Sequence, residues 1–207
     1  MTVNDVYGEN VDAYETWFIE NNLTFKSEVN AIQLLLPNET TKGIELGVGT
    51  GLFAEQLGIK IGLEPSLNMA EKAKKRGVQV TLGFIEIMPF KDNSFPFTLM
   101  VTVDCYLHNL VVAFREVYRI LESNGVLVIA FIDRETPLGK IYQENKSKSV
   151  FYRDANFNSR AEIRSALKDA GFSIIDEQQT VFSSENILHE IREGLGEGLF
   201  AVIKAKK

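Results

Sequence analysis

Cysteine is almost absent: the 207 residues contain one, Cys105. That rules out an intrachain disulfide and fits a reducing compartment. Histidine is nearly as scarce, with only His108 and His189, and no Cys/His cluster has the spacing of metal ligands. The longest apolar run, Val126 to Ile132, is far too short to cross a bilayer. Thr2 to Asp12 lacks the basic start and apolar stretch of a signal peptide. Positive charge is also short: 22 Lys and Arg against 28 Asp and Glu leave a formal net charge of -6. Nothing therefore points to a nucleic-acid or anionic-membrane surface. Neither G-x-S-x-G nor G-x-x-x-x-G-K-[ST] occurs. These absences lead us to expect a cytoplasmic protein without metal, nucleic-acid or membrane partners, its oligomeric state open. Hydrophobic content of 45% and charged content of 24% are ordinary, and the length suits one domain over 1–207.

Glycine, by contrast, is concentrated. In Gly43-Ile44-Glu45-Leu46-Gly47-Val48-Gly49-Thr50-Gly51 a short buried strand runs into three glycines at alternate positions, and a helix-like run, Leu52 to Leu57, follows. Strand, glycine turn and helix bring backbone close to a polar ligand and aim helix-end N–H groups at it. Alternation then continues. Strands are expected at Lys60 to Glu64, Val78 to Leu82, Phe97 to Val103 and Val126 to Ile132, with helices between Ser66 and Gly77 and from Val111 to Leu121. Ser159-Arg160-Ala161-Glu162 reads as a capping box opening a helix that ends at Gly171. The last two strands, Phe172 to Thr180 and Leu199 to Ala205, have no helix-length connection between them, so they should pair antiparallel. The expected fold is α/β: a Rossmann-like, doubly wound, seven-stranded sheet with an antiparallel last strand and helices on both faces. Residues 1–40 read as helical, and 133–158 as an insertion without periodicity that could form a substrate-side flap.

The glycine spacing separates ligand classes. A dinucleotide site wants G-x-G-x-x-G, but here the third glycine falls one residue early, at Gly51. Glu45, two residues before Gly47, would face a pyrophosphate with like charge and suits a cationic ligand better. Glu64 ends the second strand and can accept from both hydroxyls of a ribose, a use that S-adenosylmethionine and NAD share.

The E-x-G-x-G-x-G form resembles the first motif of class I S-adenosylmethionine-dependent methyltransferases, and the chain as a whole is similar to their small ubiquinone/menaquinone-type members. The ordered set is Glu45 with Gly47, Gly49 and Gly51, then Glu64, the Gly83 to Phe90 loop, and Arg115 to Leu121 before a glycine turn. The resemblance implies S-adenosylmethionine as cofactor, with Gly47, Val48, Gly49 and Gly51 around its amino-acid part and Glu64, followed by Pro65, at its ribose. The Gly83–Phe90 loop would hold the adenine: Ile85 offers its N–H, Phe84 replaces the family's acid and packs on the purine, and Glu86 ties the loop together. Thr102 and Val103 would lie under the sulfonium. Asp104, Tyr106 and His108 form a cluster of acid–base groups at that strand end, where His108 could deprotonate an acceptor near neutral pH. Relatives carry a segment like Tyr14-Glu15-Thr16-Trp17 whose tyrosine faces the cofactor, which makes residues 1–40 a lid, or else a helix packed over the domain's edge. The candidate catalytic residues are thus His108, Tyr14 and Asp104. The implied reaction is SN2 methyl transfer to a small-molecule N, O, S or C nucleophile. A nicotinamide oxidoreductase and a non-catalytic cofactor-binding protein are the rivals.

Overall fold

The structure, a computed structural model, describes residues 6–207. Three helices come first: α1 (Val6–Glu9), α2 (Val11–Glu20) and α3 (Asn22–Leu35). The expected helical region 1–40 is helical in this part, and residues 1–5 lie outside the described ones. The residue before Pro37, Leu36, is extended, the conformation a following proline imposes, and α3 stops there.

The strands are β1 (Ile44–Leu46), β2 (Ile61–Glu64), β3 (Gln79–Leu82), β4 (Phe95–Val101), β5 (Leu121–Ile132), β6 (Ser173–Thr180), β7 (Arg192–Glu193) and β8 (Phe200–Lys206). They form one sheet of order β3-β2-β1-β4-β5-β8-β6-β7. β1 pairs parallel with β2 and β4, β2 with β3, and β4 with β5. β8 runs antiparallel between β5 and β6, as expected of a short-connected pair. The eighth strand, β7, was not foreseen; its two residues pair with β6 ahead of the Gly194–Gly198 bend, too few to carry a periodicity.

Alternation along the strands sends side chains into two cores. Phe97, Leu99 and Val101 of β4 face one side, with Ile32, Leu35 and Phe53. Met100 faces the other, with Phe114 and Val117 of α6 (Leu110–Ile120) and Ile163 and Leu167 of α8 (Arg160–Asp169). The remaining helices are α4 (Leu52–Leu57), α5 (Leu67–Lys75) and α7 (Pro137–Asn145). Asn109 and Ser66 cap α6 and α5, and the Ser159–Glu162 capping box opens α8. Within the segment expected to lack regular structure, α7 starts on Thr136, whose hydroxyl accepts from the Gly139 N–H, with Pro137 in the first turn. Gly139 is the only fully buried residue of α7; Leu138, Ile141 and Tyr142 stand at helical spacing, and Leu138 and Tyr142 pack partly buried against the core, a stripe of one turn only.

Candidate active site

The parallel strands end on one edge of the sheet, and the site is built there. Three short, positive-φ steps turn the chain after β1: Gly47 at +73°, Gly49 at +56° and Gly51 at +83°. The Gly47 and Val48 N–H groups both donate to the Leu63 carbonyl, at 2.8 and 3.0 Å, which locks the turn to the end of β2. A Cβ on Gly47 would lie 2.7 Å from the Val103 side chain, so β4 and the turn can meet only over a bare Cα. Gly51 packs on Ala73 of α5 and Val48 lies beneath the turn against Gly62; neither opens on the cavity above.

Glu64 draws the two neighbouring loops together. Its oxygens accept from the Gly49 N–H at 2.8 Å and the Ser66 N–H at 3.0 Å, while the residue lines the cavity. A carboxylate has about four acceptor positions, so holding the turn and meeting a ligand are compatible uses. Glu45, on the middle of β1, is 2% exposed and, against expectation, does not line the cavity; its Oε2 has no hydrogen-bond partner. Burial first, and then the charge of Glu64, push its carboxyl well above the usual range, against one stabilising contact with the Ala54 backbone. A buried acceptor without a donor, beside a second carboxylate, is an environment that a cationic ligand would relieve.

The cavity over this edge has a volume of about 440 Å³. Its floor includes Gly47, Gly49, Thr102 and Val103, and Glu64, Pro65 and Phe84 bound one end. Thr102 holds φ at 50°, a left-handed setting costly for a β-branched residue, fixed by its N–H to the Ala130 carbonyl at 2.8 Å. Helix α2 closes the cavity with Tyr14, Trp17 and Phe18. The Tyr14 hydroxyl lies 3.7 Å from where a Gly49 Cβ would sit. Its ring meets Tyr7, Phe18 and Phe151 edge-on at 5.7, 5.0 and 5.8 Å between centroids. Burial, followed by the charges of neighbouring groups including Glu45, Glu64 and Glu28, raises its phenol well above the ordinary value. Arg76, which no motif marks, pins α2 in place: it bonds Glu15 at 2.6 Å, Glu55 at 3.2 Å and the Thr50 carbonyl at 2.9 Å.

The acid–base cluster expected at the end of β4 does not assemble. A 3-10 turn over Asp104–Tyr106 sends the three side chains apart. Tyr106 lines the cavity, its hydroxyl bonded to that of Tyr7 and donating to the Phe151 carbonyl at 3.1 Å. Asp104 is buried away from it and accepts from Asn158 at 2.9 Å; burial pushes it up to about 6. His108 points outward, its side chain 89% exposed and 3.6 Å from Glu86. Glu86 also accepts the His108 N–H, at 3.1 Å, and Ile85 is buried behind Phe84, outside the cavity lining. Cys105 is buried, which raises its thiol. His189, buried, donates its N–H to Ser27 and accepts from the Phe182 N–H, a structural arrangement. Glu28 and Asp154 also line the cavity, with no signal in the sequence, and Tyr142, Phe151 and Tyr152 line it from the segment read as a substrate-side flap. Among the described residues no group of His, Cys, Asp and Glu could hold a metal, and no helix is long and apolar enough to cross a membrane.

A glycine turn and a strand-end carboxylate at the parallel edge, with β8 inserted antiparallel beside β5, define the class I methyltransferase architecture. Residues 44–129 match the family model of a methyltransferase domain. The chain is 44% identical to the crystal structure of a Thermotoga maritima S-adenosylmethionine-dependent methyltransferase, described as a possible histamine N-methyltransferase, with a TM-score of 0.93 over 98% of both chains. It is 43% identical to an uncharacterised Methanocaldococcus jannaschii protein over the whole of both. A Staphylococcus aureus demethylmenaquinone methyltransferase is 26% identical, over 64% of this chain and 68% of its own length. The chain belongs to the S-adenosylmethionine-dependent methyltransferases.

Proposed function

We propose that the enzyme methylates a small molecule at a nitrogen, oxygen, sulfur or carbon nucleophile by in-line displacement. The observation that carries this is one aromatic-walled hollow of about 440 Å³ that begins at the glycine turn and continues past Tyr14 between α2 and the 133–158 segment. Hollows of this size hold small organic ligands. Bound S-adenosylmethionine supplies an electrophilic methyl group on a sulfonium. Around it, Glu64 accepts from the ribose hydroxyls, Phe84 covers the adenine with the Ile85 N–H behind it, and Glu45 answers the ammonium charge through the glycine turn. Tyr14 stands at the methyl end. Asp104 and His108 lie away from the hollow, so their parts are to hold Asn158 and the Glu86 loop. Positioning of this kind contributes up to about 7–11 kcal/mol in favourable systems, without a general base. The quinone-type kinship rests on the Staphylococcus aureus relative alone. One buried cysteine accords with a cytoplasmic enzyme.

Calorimetry tests the reading. S-adenosylhomocysteine should bind and NADH should not, and Glu45→Ala and Glu64→Ala should each weaken S-adenosylhomocysteine roughly tenfold or more, as loss of a charge-assisted contact does. Unchanged affinity in both variants would remove the assigned cofactor contacts. Native mass spectrometry of the purified protein offers a second readout, through any nucleoside carried over.

A further inference from the structure

Resting on the methyl-transfer reading above, the geometry points to Glu28, with Tyr142 and Tyr152, as an acceptor subsite built for a small organic amine that carries a positive charge. Glu28 projects from α3 into the cavity. Among the described residues, nothing donates a hydrogen bond to its carboxyl and no basic group pairs with it. The residue is half-buried, and burial raises its carboxyl, to about 8. The Tyr142, Tyr152 and Tyr14 phenols all feel its charge.

Glu28 is carried by α3 and Glu64 by the end of β2, so the two carboxylates enter the hollow from different elements. A cationic acceptor beside Glu28 would let its carboxyl ionise and pair with it.

The walls favour the same occupant. The cavity is lined by the acids Glu28, Glu64 and Asp154, and by no Lys, Arg or His among the described residues. An anionic acceptor would enter against the charge of Glu64 and Asp154, and a neutral one would offer Glu28 an uncharged hydrogen bond at most. Tyr142 and Tyr152 lie 6.2 Å apart with rings tilted at 50°, and Tyr7 stacks on Phe151 at 5.1 Å. Such faces attract ammonium groups and flat ring systems alike.

The test titrates 2-phenylethylamine, tryptamine and histamine into protein saturated with S-adenosylhomocysteine, with 2-phenylethanol and 3-phenylpropanoate as neutral and anionic counterparts. At least one amine should bind tenfold or more tightly than the alcohol, and the carboxylate more weakly than either. Glu28→Gln should reduce that amine's affinity tenfold or more while leaving the alcohol and S-adenosylhomocysteine unchanged. A bound ammonium has no lone pair, so transfer proceeds once its proton has gone to solvent; the nitrogen then takes the methyl group and S-adenosylhomocysteine leaves, and in methyl-transfer assays with the same amine the loss should fall mainly on KM. Amines binding no better than the alcohol, or not at all at millimolar concentration, or equally well to Glu28→Gln, would overturn the subsite and leave the methyltransferase reading intact. Failure of S-adenosylhomocysteine itself to bind would overturn both. Glu28→Gln should fold, because the carboxyl it replaces holds no hydrogen bond within the described structure.

Discussion

Residue by residue, the cavity is expensive to maintain, and Glu28 shows how. Its ordinary value is 4.5 and burial raises it to about 8 in the folded protein. Between those values the unfolded chain has released a proton that the folded protein retains. The Glu28 contribution is therefore fully present below the unfolded value and is lost as pH rises through the window. Chemical denaturation of wild type and Glu28→Gln from pH 4 to 9 should show the variant gaining on wild type by up to about 1.4 kcal/mol per pH unit inside the window and running parallel outside it. A constant difference across the whole range would contradict burial of the carboxyl. Gly47 carries a cost of another kind: with φ at +73° and Val103 at 2.7 Å, Gly47→Ala should lose roughly 1–3 kcal/mol of stability and weaken S-adenosylhomocysteine as well. A melt matching wild type would mean that the turn can relax.

What could be read from the sequence at this scale follows from how local each signal is. Gly47, Gly49 and Glu64 were legible because the turn and strand end that place them are contiguous in the chain. Glu28 was not: it shares the inward face of α3 with Thr24, Ile32 and Leu35, but what faces it is the 133–158 segment, more than a hundred residues away in the chain. The Asp104–Tyr106–His108 trio failed for the opposite reason, since nearness in sequence was taken for nearness in space and a 3-10 turn separated the groups.

Among elements, α2 has the fewest reasons to stay where it is. None of its residues is fully buried. It is held by Tyr14 and Phe18 against other rings and by Arg76, whose bond to Glu15 joins two side chains 21% and 19% exposed. Arg76→Met should keep the aliphatic packing and release the ion pairs and the Thr50 carbonyl, at roughly 1–3 kcal/mol. Hydrogen exchange of 11–20 should quicken relative to β4, and S-adenosylhomocysteine should bind more weakly because Tyr14 is less well placed. Exchange unchanged in α2 would assign its hold to the aromatic cluster instead. Strands β1 to β5 and their helices were foreseen within a few residues because each carries its own period and cap. α7 was not, because its apolar set, Leu138, Ile141 and Tyr142, fills a single turn, too short to stand out beside the Thr136-Pro137 start.

For the whole molecule, both cores lie on one sheet, and the site spans that sheet's edge and the helices that close it. Strand order and the inward face of 133–158 depend on contacts far apart in the chain, which a single sequence constrains only through alternation and short connections. The arrangement makes a thermodynamic demand: a ligand at the glycine turn after β1 touches α2, β2 and β4 as well, so it should stabilise the chain as one unit. With S-adenosylhomocysteine at one hundred times its dissociation constant, the gain is about 2.7 kcal/mol. For a protein of this size that corresponds to a rise in Tm of roughly 5–10 °C, and NADH should give none. Calorimetric melting should show one transition moving intact. If instead one part of the melt shifted and another stayed, α2 and the 133–158 segment would unfold apart from the sheet, and the hollow they close would have to form on binding.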